Sequence, residues 1–260
     1  MLTPFALQFG RPPCTMSASK TALIIGATGQ TGGYLLKELL ASPHFKRVHE
    51  YGRGVTQLET LSEGKEKLEQ KIIDFEKLEE DGALKGGKWD VVFITLGTTR
   101  AKAGSAEAFE KIDREYVIRA AREAKSNDPS HPQRLVYCST NGANSQSSFL
   151  YPRSKGLTEE GLAALGYSDT IIFRPGFLVG TARPELRIGE YLATKVTGVL
   201  SYFSSKVEIK VATLGKAMSV AGYLGTESLP PQAGATKSGK EGAQFTLIGN
   251  VGALELAKNV

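Results

Sequence analysis

The stretch Thr21-Ala-Leu-Ile-Ile-Gly-Ala-Thr-Gly-Gln-Thr-Gly32 decides the fold of this 260-residue chain. Its apolar part, Ala22 to Ile25, is typical of a buried parallel strand that ends at a glycine. The three glycines have the spacing G-x-x-G-x-x-G and are Gly26, Gly29 and Gly32. They permit a tight turn with no side chain between the backbone and a pyrophosphate, which the free N–H groups of the next helix can bind. The stretch therefore predicts a strand, a phosphate-binding turn and a helix.

Beyond this turn, apolar runs of strand length alternate with segments of helical periodicity. Leucines recur at helical spacing from Leu35 to Leu40, and Ser42-Pro43 ends that helix. Further strands are predicted at Val48 to Tyr51, Ile72-Ile73, Val91 to Leu96, Leu135 to Cys138, Thr170 to Phe173 and Phe245 to Ile248. Further helices are predicted around Phe109 to Ala120, Arg153 to Leu165 and Leu192 to Phe203. The alternation predicts an α/β fold with a doubly wound parallel sheet of the Rossmann type.

The chain is long enough for one α/β core and shows no internal repeat, so we expect a single domain over 21–260. Its less regular part, from about 176–260, is interpreted as a small C-terminal lobe on the substrate side of the sheet. That part includes a loop rich in Pro, Gly, Ser and Lys near Leu229 to Glu241. Residues 1–20 contain no acid and three prolines, and we expect a disordered leader. A weak mitochondrial address and an alternative start at Met16 stay open.

Composition excludes several classes of protein. With 41% hydrophobic and 23% charged residues, the chain is neither disordered nor fibrous, and it has no apolar run of about 18 residues that could span a membrane. The net charge of +5 is mild and the charges are interleaved, which favours a solvated surface over nucleic-acid binding. Cys14 and Cys138 cannot form a disulfide framework, which is typical of a reducing compartment. The histidines are scattered, so we expect no metal site.

The end of the second predicted strand is where a sheet of this type reads the adenosine ribose of a dinucleotide. An acid there favours NAD, and an arginine favours the 2′-phosphate of NADP. Arg53 stands at this place and Glu50 lies earlier, so NADP(H) is favoured over NAD; the alternative is an ordinary exposed arginine. Asp74 could accept from the adenine amino group or cap the following helix. Leu96 and Gly97 end the fourth strand, where the cofactor should lie.

Tyr151 and Lys155 form a Tyr-x-x-x-Lys pair, one helical turn apart and on one face. A phenol ionises near pH 10, and a neighbouring ammonium favours its charged form. The pair follows Ser139-Thr140 at the end of the fifth predicted strand, the edge where ligands bind. Ser139 or Thr140 can donate to a carbonyl or alcohol oxygen while Tyr151 gives or takes its proton. The alternative is an amphipathic helix tyrosine without a catalytic role.

Two other pairs have the same spacing, Tyr191/Lys195 and Tyr202/Lys206. Both fall in the predicted apolar helix, away from the end of a predicted strand. They are interpreted as packing tyrosines with solvated lysines.

Several longer blocks connect these features. They are Gly26-Ala-Thr-Gly-Gln-Thr-Gly32, Asp74-Phe-Glu-Lys-Leu78, Leu96-Gly-Thr-Thr-Arg-Ala-Lys-Ala-Gly104, Phe149-Leu-Tyr-Pro-Arg-Ser-Lys155, Phe173-Arg-Pro-Gly176 and Arg187-Ile-Gly-Glu-Tyr191. The blocks resemble those of the atypical short-chain dehydrogenases, in particular the Tat-interacting-protein-like oxidoreductases with their fungal mitochondrial-outer-membrane members. The resemblance runs from about Thr21 to about Tyr223.

The resemblance implies an NADPH-dependent oxidoreductase in which Tyr151 is the proton donor or acceptor and Lys155 lies beside it. It implies NADPH contacts from Thr28, Gly29, Thr31, Gly32, Arg53, Leu96, Gly97, Leu178 and Arg187. Members of the family often carry a second basic residue after the one that matches Arg53, and this chain has Gly54 there.

The leading hypothesis is therefore a reductase that acts on a small carbonyl substrate. An NADPH-binding redox sensor that acts on a protein partner without turnover is the alternative, although the intact Tyr151/Lys155 pair favours the enzyme. An NAD-dependent epimerase or dehydratase is less favoured, because the predicted lobe is small and carries no obvious sugar-nucleotide motif. The resemblance also implies peripheral attachment to the mitochondrial outer membrane, with the cytoplasm as the alternative location.

Overall fold

The computed structural model describes residues 19–180 and 207–258, which form a central eight-stranded sheet with helices on both faces. The strands of this sheet are β1 (Lys20–Ile25), β2 (Phe45–Gly52), β3 (Leu68–Ile72), β4 (Val91–Ile94), β5 (Arg134–Cys138), β6 (Asp169–Arg174), β9 (Thr236–Lys240) and β10 (Ala243–Gly249). A small second sheet pairs β7 (Phe177–Val179) with β8 (Glu208–Lys210).

The described helices are α1 (Gln30–Ala41), α2 (Leu78–Asp81), α3 (Arg100–Ala103), α4 (Ala106–Glu110), α5 (Tyr116–Ala124), α6 (Leu150–Ala163), α7 (Val211–Leu224) and α8 (Asn250–Lys258). One π-helical turn, Lys111–Glu115, joins α4 to α5 without a break in the helix. This turn lies next to the candidate site described below.

The strands of the central sheet lie in the order β3-β2-β1-β4-β5-β6-β10-β9. All neighbours are parallel except β9, which runs antiparallel to β10. The chain moves outward from β1 to β3 and then returns to β4 on the other side of β1. Such a reversal leaves a crevice at the carboxyl ends of β1 and β4, where sheets of this kind bind ligands. The predicted doubly wound parallel sheet is confirmed.

Strand β1 shows why its sequence is apolar without alternation. Ala22 and Ile24 pack into the core on the α1 and α7 face, whereas Leu23 and Ile25 pack into the core on the α5 face. All four side chains are fully buried, at 0% exposure. A strand covered by helices on both faces needs an apolar residue at every position, as the sequence predicts.

Two edge strands differ from the prediction. Strand β3 occupies Leu68–Ile72 rather than Ile72-Ile73, and the predicted loop from Leu229 to Glu241 contains strand β9. The loop prediction is wrong over Thr236–Lys240. Both strands lie at an edge of the sheet and are largely exposed, so they carry lysines and polar residues in place of an apolar run.

The described part of the predicted C-terminal lobe contributes directly to the central sheet. Strand β10 pairs with β6 from Thr246 to Gly249, and helices α7 and α8 complete the core on the α1 face. The predicted helix from Leu192 to Phe203, the candidate contact Arg187 and nearly all of the leader lie outside the described residues. Within residues 19–180 and 207–258, no helix combines the length and apolar character that crossing a membrane requires.

Candidate active site

The turn after β1 depends on a glycine at position 26. Gly26 has φ +97°, in the left-handed region that residues with a side chain rarely adopt. A Cβ there would also lie 2.6 Å from the backbone nitrogen of Leu96 and 2.8 Å from the carbonyl carbon of Thr95. Glycine is therefore required both by the backbone angle and by the close approach of the chain that leaves β4.

Gly32, in the first turn of α1, is the second glycine that this turn requires. A Cβ on Gly32 would overlap the carbonyl oxygen of Gly26 and lie 2.5 Å from Oγ1 of Thr95. The Gly29 N–H donates to that same Gly26 carbonyl at 3.0 Å. The start of α1 therefore sits directly on the turn, and side chains are absent where a pyrophosphate must approach.

The start of α1 suits an anion. Gly29 precedes the helix, and no side chain caps it, so its first N–H groups are free to bind a phosphate. The first turn of α1 contains no acid that would compete for this position. Thr28 is exposed beside it, whereas Thr31 is buried. The glycine turn therefore fits the pyrophosphate of a dinucleotide, as the spacing predicts.

Glu50 and Arg53, the two residues near the predicted ribose position, have different surroundings in the structure. Glu50 is 1% exposed and accepts hydrogen bonds from the Thr56 N–H (2.8 Å), the Thr56 hydroxyl (2.7 Å) and the Gln70 amide (2.7 Å). These bonds fix the segment after β2 and leave the carboxylate unavailable to a ribose. Arg53 is exposed just beyond β2. A cavity of about 380 Å³ lies between the segment containing Thr56 and the start of α1.

Asp74 makes a local turn and does not cap the following helix, α2, whose N-cap residue is Lys77, so the alternative role is wrong. Its carboxylate accepts the backbone N–H of Glu76 at 2.9 Å, and the side chain is exposed. The charges of Asp74 and Arg53 both act on the phenol of Tyr116, so the two side chains lie in the neighbourhood of that ring. Burial, helped by a hydrogen bond to Glu76, raises the pKa of Tyr116 to about 12. The contact of Asp74 with an adenine amino group stays a prediction.

Helix α6 carries Tyr151 and Lys155 into different environments. The Tyr151 side chain is 44% exposed, and its ring packs against the Phe109 ring with centroids 6.0 Å apart. Lys155 is 5% exposed; its ammonium donates to the Tyr137 hydroxyl at 3.0 Å and lies 3.1 Å from Oδ1 of Asp113. The Tyr151 phenol is thus open to a ligand, with a buried cation one helical turn behind it.

Lys155 remains protonated in this environment. Burial by itself lowers the pKa of the ammonium, but Tyr137, the Asp113 carboxylate and Tyr151 together raise it well above its ordinary value of 10.5. Burial also raises the pKa of Tyr137, which keeps that phenol neutral beside the lysine. The lysine therefore supplies a fixed positive charge over the whole neutral range.

Gly97 lies next to this cation. A Cβ at position 97 would be 3.1 Å from Oδ1 of Asp113 and 3.5 Å from the Lys155 ammonium. The adjacent Thr98 N–H donates to the same Asp113 oxygen at 3.3 Å. The structure therefore joins the end of β4, predicted as a cofactor edge, to the predicted catalytic lysine. Leu96 precedes it at the Gly26 turn.

Ser139 and Thr140 point to different surroundings. The Ser139 hydroxyl is 6% exposed and donates to Glu159 at 2.5 Å, and Glu159 is itself paired with Arg174. Thr140 is half-buried, and its hydroxyl makes no hydrogen bond to any residue that the structure describes. The free hydroxyl at the end of β5 is therefore that of Thr140, while Ser139 belongs to a buried ion-pair network.

Asp113 is the residue that the sequence reading missed. It is fully buried in the π-helical turn, although it stands between Ile112 and Tyr116 on the helix whose apolar face was predicted. A single acid four residues after Phe109, on a face that is otherwise buried, was the available signal. Leu178, implied only by resemblance, lies in β7 and packs partly buried against the α7 face of the core.

Known proteins resemble this chain over most of its length. The model of the NAD dependent epimerase/dehydratase family matches residues 22–206. The chain belongs to this family. It is 40% identical over 201 residues to the protein HTATIP2 of Rattus norvegicus, which covers 77% of this chain and 80% of that protein. It is 33% identical to the mitochondrial protein FMP52 of Candida albicans, over 68% of this chain and 75% of that protein. The predicted resemblance is confirmed.

Solved structures show the same fold. The enzyme WbmF of Bordetella bronchiseptica in complex with NAD+ has a TM-score of 0.60 and 13% identity, covering 93% of this chain and 77% of that chain. MoeE5 in complex with UDP-glucose and NAD has a TM-score of 0.57 and 16% identity, covering 80% and 73%. At these identities the likeness establishes the Rossmann-type fold and leaves the chemistry to the residues of the site.

We expect Gly32→Ala to weaken binding of NADPH and NADH alike by about tenfold or more, because the added methyl group pushes the start of α1 away from the Gly26 carbonyl. Isothermal titration calorimetry measures both affinities. Gly33→Ala, in the same helix turn, is the control: its Cβ would meet only the Ala27 carbonyl, at 3.3 Å. Equal losses in the two variants would contradict the assignment of the turn.

Proposed function

We propose that the chain is an NADP(H)-dependent oxidoreductase of the short-chain dehydrogenase type, acting on a small carbonyl or alcohol substrate. One observation carries the proposal: Tyr151 is open to a ligand while Lys155, one helical turn later, is buried and charged at the crevice end of β4. A packing tyrosine with a solvated lysine, which is the alternative for such a spacing, would not bury the lysine.

The residues of the site divide the work of the reaction. When bound, the cofactor supplies or accepts a hydride at its nicotinamide ring. Tyr151 gives a proton to the substrate oxygen when a carbonyl is reduced and takes it back when an alcohol is oxidised. The Lys155 ammonium lies one helical turn behind this phenol, supplies a positive charge there and is available to ribose hydroxyls. The free hydroxyl of Thr140 donates to the same oxygen and polarises it.

The choice of NADPH rests on the residues after β2. The backbone at Gly26, Gly29 and Gly32 would hold the pyrophosphate, and the exposed Arg53 would hold the 2′-phosphate. Glu50, the one nearby acid inside the strand, is engaged by Thr56 and Gln70 and offers no acceptor for the ribose hydroxyls that an NAD site needs. These contacts support NADP over NAD.

We expect Tyr151→Phe to keep NADPH affinity within about twofold and to lower turnover by about a hundredfold or more, because the proton donor is lost and the ring contact is kept. NADPH oxidation against a panel of aldehydes and ketones measures turnover. Tyr223→Phe is the control. The Tyr223 ring stacks on His44, with ring centroids 3.7 Å apart, and is not part of this site. Unchanged turnover in Tyr151→Phe would refute the mechanism.

NADPH binding by the natural chain with no turnover on any carbonyl would favour the redox sensor.

We expect Arg53→Ala to weaken NADPH binding by about tenfold and to leave NADH binding unchanged, because the lost guanidinium contacts only the 2′-phosphate. Fluorescence titration with the two cofactors gives the ratio of affinities. Arg47→Ala removes another exposed arginine from β2 and should leave the ratio unchanged. An equal loss of NADH affinity in Arg53→Ala would show that Arg53 does not contact the 2′-phosphate and is an ordinary exposed arginine.

For location, we propose peripheral association with the mitochondrial outer membrane. Fungal relatives are named mitochondrial, and residues 1–20 contain no acid. We expect the full chain with a C-terminal fluorescent tag to co-localise with an outer-membrane marker and to be released by alkaline carbonate. A second chain that starts at Met16 should lose this location if the address lies in the leader. Diffuse fluorescence of the full chain would contradict the proposal.

A further inference from the structure

Asp113 is an acid in a place where a charge is costly. Its side chain is fully buried, and its Oδ1 lies 3.1 Å from the Lys155 ammonium and accepts the Thr98 N–H at 3.3 Å. The other oxygen, Oδ2, is buried and has no hydrogen-bond partner among the described residues. A buried carboxylate with one unsatisfied oxygen costs free energy, so this acid is not explained by stability.

The π-helical turn places this acid. The Tyr116 N–H bonds to the carbonyl of Lys111, five residues back, where an α-helix would bond four residues back. The additional residue rotates the following helix face by about 100° relative to the face before it. The displaced Asp113 carbonyl accepts the Thr158 hydroxyl of α6 at 3.4 Å, which ties the turn to the helix that carries Lys155. π-turns of this kind are frequent at functional sites.

Asp113 is the carboxylate that faces Lys155 among the described residues. From β5 the lysine meets the phenol of Tyr137 and, farther off, the thiol of Cys138, whose pKa burial raises to about 11. From its own helix it meets the phenol of Tyr151. Burial raises the pKa of both Tyr137 and Cys138, which keeps them neutral, so the carboxylate is the partner that compensates the buried ammonium.

We propose that Asp113 is a positioning residue: its carboxylate holds the Lys155 ammonium against the Tyr137 hydroxyl and keeps it charged behind Tyr151. The inference rests on the proposed function, because the charge matters only if Tyr151 exchanges a proton. Without the carboxylate, only the phenols of Tyr137 and Tyr151 would oppose the burial that favours the neutral lysine. Lys155 would then lose its proton as the pH rises through a lowered pKa, and the effect on Tyr151 would be lost with it.

The test is an NMR titration of the chain labelled with 13Cε-lysine, without cofactor or substrate. The Lys155 signal is identified by its absence in Lys155→Gln. In the natural chain it should titrate above the ordinary lysine value. In Asp113→Asn we expect the Lys155 pKa to fall by about two units or more, because the negative charge that offsets much of the effect of burial is lost. Glu110→Gln, which removes an acid paired with Arg114 on the same helix, should leave it unchanged.

A second readout separates positioning from folding. In Asp113→Asn the loss of NADPH affinity should grow by about twofold or more between pH 6 and pH 9, because Lys155 is fully protonated at the lower pH in both chains and partly deprotonated at the higher pH in the variant. A merely structural role would weaken binding equally at both values and would refute the proposal. An unchanged Lys155 titration in Asp113→Asn, or the same shift in Glu110→Gln, would also refute it.

Two outcomes keep the inference distinct from the proposed function. If Asp113→Asn does not fold, the natural chain alone decides, since a Lys155 pKa at or below the ordinary value would overturn the inference. If the natural chain does not bind NADPH, the proposed function fails whatever Lys155 does. A high Lys155 pKa that depends on Asp113 would still support the ion pair in that case, because the NMR titration needs no ligand.

Discussion

The contact between the end of β1 and the end of β4 is the constraint on which the site depends. Gly26 adopts φ +97° against the backbone of Thr95 and Leu96, and Gly32 brings α1 down onto the Gly26 carbonyl. A single methyl group at either glycine would separate the helix from the sheet. Because β1 and β4 are neighbours and their ends meet here, the start of α1 and the Gly97 edge next to Lys155 both lie at the carboxyl ends of the two strands. In the proposed function, this one backbone packing positions both the phosphate end and the nicotinamide end of the dinucleotide.

Two buried ion pairs then decide which side chains are available. Asp113 pairs with Lys155 and Glu159 pairs with Arg174, and each pair recruits a hydroxyl, from Tyr137 and Ser139 respectively. Buried ion pairs add little net stability, because desolvation offsets their attraction, yet removal of one partner costs about 3–5 kcal/mol. The Glu159 pair therefore fixes Ser139 inside the core and leaves Thr140 free, while the Asp113 pair fixes the cation behind Tyr151.

The sequence predicts most of the fold and about half of the site, because those features depend on residues that are close together along the chain. Strands covered on both faces, such as β1, appear as unbroken apolar runs, and the glycine turn and the Tyr151/Lys155 spacing are local patterns. Strand β9 was missed because an exposed edge strand carries no such run. Asp113, and the different surroundings of Ser139 and Thr140, were missed because their partners are distant along the chain. The π-turn that directs Asp113 inward also changes the helical phase on which a periodicity argument relies.

The fold leaves several chemistries open, since solved structures with this sheet carry names that include nucleotide-sugar enzymes. The feature of this chain that bears on its chemistry is the buried charge one helical turn behind the exposed Tyr151. An apolar pair at positions 113 and 155 would fill the same space without a desolvation cost. The chain instead keeps a buried ammonium, a carboxylate with one unsatisfied oxygen and a π-turn that holds them together. Such a cost beside an exposed tyrosine is what the proposed proton transfer at Tyr151 requires, because that chemistry needs a fixed charge more than a stable core.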